Sequence, residues 1–177
     1  MDLKEDVMAA CGRTAAELGF DGMRFCAGDI RTLPRTQHPH LVVSLHACDI
    51  ATDIVLDTAV ELGADVILST PCCHRYINRR LCAPELAFVT DHPHLRARLG
   101  ETLTDALRLL RLEAGGYQVD AAELIDLSDT PKNTLLRAVR RPGISADSAA
   151  AKAKRAAYEH ALVFLLGKNS DSYLKDI

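Results

Sequence analysis

The chain of 177 residues contains no tryptophan, and aromatic side chains make up only 5% of it. Its core must therefore be aliphatic, which fits a hydrophobic fraction of 48%. Excess basic charge is also lacking, because 21 Lys and Arg residues stand against 24 Asp and Glu, for a formal net charge of −3. This balance excludes a strongly basic nucleic-acid-binding module, although a local basic patch is compatible with it.

Long apolar runs are missing as well. The run from Ala161 to Leu166 is far shorter than the roughly 20 residues that a membrane-spanning helix needs. The first six residues include charges of both signs, which is not typical of a signal peptide. We therefore expect a cytoplasmic protein with one domain over residues 1–167 and a polar, frayed tail over residues 168–177.

The six cysteines include no Cys-x-x-Cys pair, which excludes a zinc ribbon and a thioredoxin-type motif. A disulfide framework is not expected in a chain of this size without a secretion signal. We expect reduced thiols.

Periodicity predicts an α/β fold. Apolar residues at helical spacing predict helices over residues 4–18, 52–62, 95–114 and 147–166. Short apolar runs predict strands over residues 23–27, 41–45 and 65–69, and two further strands over 117–125 and 133–139. The last two strands are joined by a short connection without a helix, so they form an antiparallel hairpin. The predicted sheet is mostly parallel with this hairpin at its C-terminal end, and residues 82–94 are expected to be an irregular loop.

Polar residues follow the predicted parallel strands, where open α/β sheets bind their ligands. Gly28-Asp29 follows one strand, and Asp2 ends another if that strand begins upstream. Two acidic residues at neighbouring strand ends suit a nucleoside, because one carboxylate can accept from ribose hydroxyls and the other from an adenine amino group. The alternative is that both acids are helix caps or turn formers.

A second group of polar residues consists of His46, Cys48, Cys72, Cys73 and His74. These side chains could bind zinc, form a Cys–His nucleophile pair, or be inert buried thiols beside a polar histidine. Side chains alternate along a strand, so the adjacent cysteines are expected to point to opposite sides and not to share one ion. We therefore assign no metal ligands from the sequence, although a zinc-binding thiol protein stays an alternative.

The C-terminal third is locally basic, which suits either a groove for a phosphate backbone or a solvated face. The residues concerned are Arg137, Arg140, Arg141, Lys152, Lys154 and Arg155.

Two segments resemble motifs of a family of class I S-adenosylmethionine-dependent methyltransferases. Residues 43–53, Val-Ser-Leu-His-Ala-Cys-Asp-Ile-Ala-Thr-Asp, resemble the motif of its fourth strand, and residues 69–74, Ser-Thr-Pro-Cys-Cys-His, that of its fifth. Residues 2–7 and 28–30 resemble the ends of its second and third strands, and residues 129–133 its late hairpin turn. Similar segments occur in a eukaryotic tRNA 2′-O-methyltransferase, so the resemblance implies a Rossmann-like fold, S-adenosylmethionine as cofactor and RNA as one acceptor.

The resemblance also implies roles for individual residues. Asp2 would bind the ribose of the cofactor, and Gly28, Asp29 and Ile30 would hold its adenine. His46, Ala47 and Cys48 would lie beside its methionine end, while Asp49, Cys72, Cys73 and His74 would face the acceptor. His46 is the expected general base, since imidazole titrates near working pH.

The family's first strand and Gly-rich cofactor loop have no counterpart before Asp2 in this sequence. The sequence therefore predicts an incomplete sheet and weak or no cofactor binding by these 177 residues alone. The chain would then be a truncated methyltransferase, a protein completed by a partner chain or a dimer, or a non-catalytic remnant that serves as a binding or assembly subunit.

Overall fold

The computed structural model describes residues 1–45, 47–125, 133–141 and 143–177. They form two compact units, residues 1–37 and residues 38–177. No helix among the described residues combines the length and the apolarity that crossing a bilayer requires.

The first unit contains helix α1 (Glu5–Glu17) and a 3-10 turn (Ile30–Thr32). The strand predicted over residues 23–27 does not form. Ala27 makes only an isolated parallel bridge to Asp2, because this segment finds no other extended partner within its unit. That bridge nevertheless confirms that residue 2 and the segment before Gly28 lie side by side.

The described residues of the second unit form four strands and six helices, interspersed with 3-10 turns. In chain order they are β1 (Leu41–Leu45), α2 (Ile50–Glu61), β2 (Val66–Thr70), α3 (Arg75–Arg80), α4 (Ala87–Thr90), α5 (Pro93–Ala114), β3 (Tyr117–Glu123), β4 (Thr134–Arg140), α6 (Ala149–Leu166) and α7 (Ser170–Asp176).

The strands form one mixed sheet with the order β1-β2-β4-β3. β1 and β2 are parallel, with Leu45 opposite Thr70, whereas β2–β4 and β4–β3 are antiparallel. The predicted α/β class and the C-terminal hairpin are confirmed. The hairpin turn predicted from residues 129–132 lies outside the described residues.

Two segments of the second unit also differ from the sequence prediction. Residues 84–90 of the predicted loop are helical, because a 3-10 turn there leads into α4. Helix α5 already begins at Pro93, since the first position of a helix tolerates proline. The expected frayed tail instead forms α7, because Tyr173 is 2% exposed and packs into the core. Burial of a large aromatic side chain is enough to fix a short polar helix.

Two apolar clusters hold the second unit together. One lies between the sheet and helices α2 and α5, around Ile67, Leu112 and Ala138. The other joins α3, α5, α6 and α7, around Leu107 and Leu162. Helix α5 contributes to both clusters, which explains how residues near one end of the sheet become tied to the C-terminal helices.

Strand β1 lies at an edge of this sheet, with β2 as its described neighbour. Leu41, Val43 and Leu45 share one face of the strand, and each is at least half exposed. A strand with apolar residues on both faces is typical of the interior of a parallel sheet. This apolar face of β1 is therefore left largely uncovered by the described residues.

Candidate functional site

The parallel pairing of β1 and β2 brings two predicted segments together. Leu45 and Thr70 are paired at the carboxyl ends of the strands, so the residues that follow each strand leave the sheet side by side. Cys48 and Asp49 come from the first segment, and residues 71–74 come from the second. This is the edge at which open α/β sheets bind ligands.

Three thiols meet at this edge, and we call Cys48, Cys72 and Cys73 the cysteine cluster. The Sγ atom of Cys72 lies 3.7 Å from that of Cys48 and 3.7 Å from that of Cys73. All three Sγ atoms lie within 4.8 Å of one another. None of the chain's six cysteines, all of which belong to the described residues, forms a disulfide.

The prediction that Cys72 and Cys73 point to opposite sides is wrong. That prediction assumed the alternation of a strand, but β2 ends at Thr70 and the chain is irregular over residues 71–74. Pro71, with its fixed φ, stands at the point where the pairing stops. The backbone after Thr70 no longer has strand geometry, and both thiols point towards Cys48.

The thiol of Cys72 is protonated at neutral pH. Burial raises its pKa to about 11, and hydrogen bonds and charge from Cys73 and Cys48 add to the effect. A thiol of this kind is a poor nucleophile by itself, because the thiolate is the reactive form. The geometry therefore does not favour a thiol nucleophile at Cys72 without a cation nearby.

His74 is 7% exposed, and a hydrogen bond to a residue of helix α5 holds its side chain. Its Nε2 lies 2.9 Å from Oδ1 of Asp105, while its buried Nδ1 makes no hydrogen bond within the described part of the chain. The contact to Asp105 fixes the orientation of the ring. His74 thus sits beside the cysteine cluster as a ring with one anchored and one unpartnered nitrogen.

Asp49 connects the two segments. Its backbone has a φ of 56°, in the left-handed region that non-glycine residues seldom adopt. Its side chain does not cap α2, and its Oδ1 instead accepts a 2.9 Å hydrogen bond from the backbone N–H of Tyr76 at the start of α3. Asp49 is therefore engaged in positioning α3 after the second segment.

A buried ion network supports this edge, and the sequence analysis missed it. Arg108 is 1% exposed and forms two hydrogen bonds to the carboxylate of Asp53, at 2.9 and 3.1 Å. It also donates to the backbone oxygen of Asp49 and to Asp105. Burial alone would lower the pKa of Arg108, but hydrogen bonding and the charge of Asp53 outweigh it and raise that pKa.

The signal for this network was present in the helical spacing of α5. Gly100, Thr104, Arg108 and Leu112 recur at intervals of four, and all are buried. A charged residue on the buried stripe of a helix must be paired. Gly100, on the same stripe, marks a close approach to α3, since a Cβ there would lie 2.9 Å from Cβ of Asn78.

An open cavity of about 230 Å³ adjoins the cluster. Its lining combines thiols, imidazole, guanidinium, amide and carboxylate groups. The residues are Cys72, Cys73, His74, Arg75, Asn78 and Glu101. A polar cavity at a sheet end with this mixture suits a small polar or charged ligand.

The remaining predicted cofactor residues belong to the first unit. The amide of Asp2 donates to the oxygen of Cys26, and Gly28 donates to the oxygen of Asp2. The carboxylate of Asp2 accepts from the amide of Lys4 at 2.9 Å. The pairing places Asp2 and Asp29 at the ends of adjacent segments, as the nucleoside hypothesis requires.

Asp29 also has a local partner. Its carboxylate caps the 3-10 turn by accepting from the amide of Arg31 and forms an ion pair with the Arg31 side chain at 2.6 Å. These side-chain and backbone hydrogen bonds lower the pKa of Asp29 to about 2. Ile30 is the first residue of the turn that Asp29 caps. The helix-cap alternative is therefore observed for Asp29.

His46, the predicted general base, lies outside the described residues. Ala47 follows it, and the backbone oxygen of Ala47 accepts a short hydrogen bond from the hydroxyl of Thr52. Thr52 thereby ties the segment after β1 to the first turn of α2.

The basic residues of the C-terminal third are mostly engaged with neighbours. Arg137 pairs with Asp120, and Arg140 donates to the backbone oxygen of Gly63. Lys154 pairs with Glu113 at 2.8 Å. The structure thus favours the solvated-face interpretation for these three side chains.

Residues 1–80 match the family model described as a methyltransferase domain. This match supports a methyltransferase domain, and it ends at Arg80, the last residue of α3. No curated protein and no solved structure matches the chain significantly. The match therefore supports the predicted methyltransferase class over residues 1–80, whereas the kinship to a tRNA 2′-O-methyltransferase stays a prediction.

Proposed function

We propose that the chain is part of a methyltransferase that uses S-adenosylmethionine. The observation that carries this proposal is the family match over residues 1–80. Every site residue indicated by the sequence, from Asp2 to His74, falls within this range. The same range contains the bridged pair of segments in the first unit and the parallel strands β1 and β2 in the second.

The hydrogen-bond acceptors of the first unit fit the donor groups of a nucleoside. Asp2 and Asp29 supply two carboxylates at the ends of adjacent extended segments, one for the ribose hydroxyls and one for the adenine amino group. Gly28, with no side chain and a φ of 149°, leaves the backbone accessible between them, and Ile30 offers an apolar contact for the ring. Ligand binding at Asp29 would exchange part of its contact with Arg31 for contact with the adenine.

Ala47 and Cys48 are proposed to lie beside the methionine end of the cofactor. When bound, S-adenosylmethionine supplies an electrophilic methyl group. His46 would take the proton from the acceptor hydroxyl, while Asp49 and the segment Cys72–His74 would position the acceptor. Most of the catalysis would come from this positioning.

RNA is the proposed acceptor. Helix α3 carries Arg75, Arg79 and Arg80, and Arg75 lines the cavity beside the cysteine cluster. Guanidinium groups next to a cavity suit a phosphate-bearing acceptor. If RNA binds here, its affinity should fall steeply with salt, and a flat salt dependence would contradict this part of the proposal.

The partner proposed for the exposed edge of β1 is a second copy of this chain. Leu41, Val43 and Leu45 form an apolar face that a strand or sheet of another copy could cover. Light scattering should show a dimer that a charge at Val43 disrupts, as in Val43→Lys. A monomeric wild-type protein would contradict this proposal.

Cofactor binding is tested by photo-crosslinking of radiolabelled S-adenosylmethionine at millimolar concentration, with S-adenosylhomocysteine as competitor. Weak binding is expected, and crosslinking detects it. Asp2→Ala should weaken binding by about tenfold, because the ribose hydroxyls lose a charged acceptor. Asp21→Ala changes an exposed acid in a turn of the same unit and should have no effect.

Absence of competed crosslinking in the wild-type protein would overturn cofactor binding by this chain alone and favour the non-catalytic alternative, a binding or assembly subunit. Equal effects of Asp2→Ala and Asp21→Ala would overturn the ribose role of Asp2.

A further inference from the structure

The spacing of the cysteine cluster matches a metal coordination sphere. Zinc binds thiolate sulfur at about 2.3 Å, so two sulfurs of a tetrahedral site lie about 3.8 Å apart. The two Sγ–Sγ distances that involve Cys72 are both 3.7 Å. The third separation, between Cys48 and Cys73, is within 4.8 Å and needs to close by at most about 1 Å to meet the same geometry.

From this geometry we infer that Cys48, Cys72 and Cys73 form a binding site for one Zn²⁺ ion, with a fourth position left for a solvent molecule or a ligand. The inference uses cysteines that the proposed function places beside the cofactor and the acceptor, but it is argued from the positions of their sulfurs and does not rest on methyl transfer. Three thiolates from two adjacent segments are enough to define the ion's position, and such a site with an open position is the arrangement of reactive rather than purely structural zinc.

The chain supplies the conditions that such a site needs. The two segments are fixed by the pairing of β1 with β2, so the three sulfurs are already gathered before an ion binds. Cys48 is exposed and Cys72 and Cys73 are half-buried, which gives an ion a route from solvent. Zinc with three thiolates carries a net charge of −1, and Arg75 lines the adjoining cavity to offset it.

Binding must release protons. Three thiols lose their protons as three Zn–S bonds form, and the protons pass to solvent or buffer. Zinc affinity should therefore fall as pH is lowered.

A disulfide is the main competing use of these thiols. Joining Cys48 to Cys72 would require their sulfurs to approach to about 2.05 Å, far closer than the observed 3.7 Å. It would also leave Cys73 without a function in the cluster. Both observed distances are close to the separation that two ligands of a shared tetrahedral ion require, and neither is close to that of a disulfide.

The test uses the full chain, reduced and stripped of metal, and titrated with Zn²⁺ in competition with a chromophoric chelator. One equivalent should bind, and replacement by Co²⁺ should give thiolate-to-metal charge-transfer bands and the visible bands of tetrahedral cobalt. Cys72→Ser should lower zinc affinity by more than about 100-fold, since loss of an outer-shell partner alone costs about 10- to 100-fold.

Cys48→Ser is the second variant, because Cys48 is exposed and its replacement does not disturb a core. It should also lower affinity and remove part of the charge-transfer intensity. Cys82→Ser is the matched control, an exposed cysteine of the same unit outside the cluster. Circular dichroism of each variant confirms that it is folded.

Failure of the wild-type protein to bind one equivalent of zinc would overturn the inference. So would a loss of affinity in Cys82→Ser as large as in Cys72→Ser, or cobalt spectra without thiolate bands. Because the readout is metal binding, failure here leaves the test of S-adenosylmethionine crosslinking unaffected.

Discussion

His74 and Asp105 are joined by a 2.9 Å hydrogen bond between Nε2 and Oδ1, across 31 residues of sequence. The same oxygen of Asp105 accepts a hydrogen bond from Arg108 at 3.1 Å. Arg108 in turn reaches Asp53 and the backbone of Asp49. One chain of polar contacts therefore connects the imidazole beside the cysteine cluster to the first turn of α2.

Replacing Arg108 by alanine should destabilise the protein by about 3–5 kcal/mol. The carboxylate of Asp53, of which only 4% is exposed, would lose its partner while staying buried. Urea denaturation at pH 7 measures the change. Arg137→Ala is the matched control, because its pair with Asp120 is exposed and should contribute less than about 1 kcal/mol. Similar losses in both variants would contradict a special role for the buried pair.

The titration of Asp29 should depend on Arg31. Carbon-detected NMR should place the pKa of Asp29 at about 2 in the wild-type protein and show a rise towards the ordinary value of 3.8 in Arg31→Gln. Arg24→Gln, in the same unit, should leave the titration unchanged. Since the pKa is lowered on folding, the stabilising contribution is present above about pH 4 and is lost as pH falls through about 2. An Asp29 titration that does not respond to Arg31→Gln would rule out the ion pair as its cause.

His46→Ala should lower kcat for methyl transfer by about 10²- to 10⁴-fold, the contribution usual for a general base. Affinity for S-adenosylhomocysteine should stay within a few-fold of the wild-type value, because a base acts mainly on the acceptor. His40→Ala is the control, since His40 belongs to the same unit and its side chain is 93% exposed. Wild-type kcat in His46→Ala would exclude the proposed base, and an unfolded variant would make His46 a structural residue.

Tyr173→Ala should cost about 3–5 kcal/mol of stability, because a large aromatic side chain would leave a cavity in the cluster formed by α3, α5, α6 and α7. Leu174→Ala removes a neighbouring side chain that is 45% exposed and should cost much less. Thermal denaturation followed by circular dichroism compares the two. Equal melting temperatures would mean that α7 does not support the core.

Strands β1 and β2, helices α2, α5 and α6 and the hairpin β3–β4 were predictable from the sequence, because their apolar spacing reflects which faces are buried. The segment over residues 23–27 has the same apolar character but no strand to pair with, and periodicity does not report the presence of a partner. The helical tail was missed for the opposite reason. Tyr173 is its one large buried side chain, and a hydrogen bond from Tyr76 to Asp176 also holds it. So few anchoring residues leave no periodic pattern.

The candidate site was predictable in its location and not in its geometry. Polar residues after β1 and β2 had to meet because parallel strands end together. The convergence of Cys72 and Cys73 depends on the backbone after Pro71, where strand alternation no longer applies. The partners of His74 and Asp53 come from α5, and only the tertiary packing shows which charged residue on a distant helix faces them.

The contacts of Arg108 also bear on the order in which the protein folds. The residues that they join are separated by 55 and by 59 positions in the sequence. These contacts therefore form only after the intervening chain has closed a large loop. The segment after β1, with the left-handed backbone of Asp49, therefore takes its final shape only when α5 has docked. A separate fragment of residues 1–80 would keep the sequence motifs but lack Arg108 and the rest of α5, which hold these motifs in place. A nascent chain would likewise form the assembled site only after α5 had been synthesised.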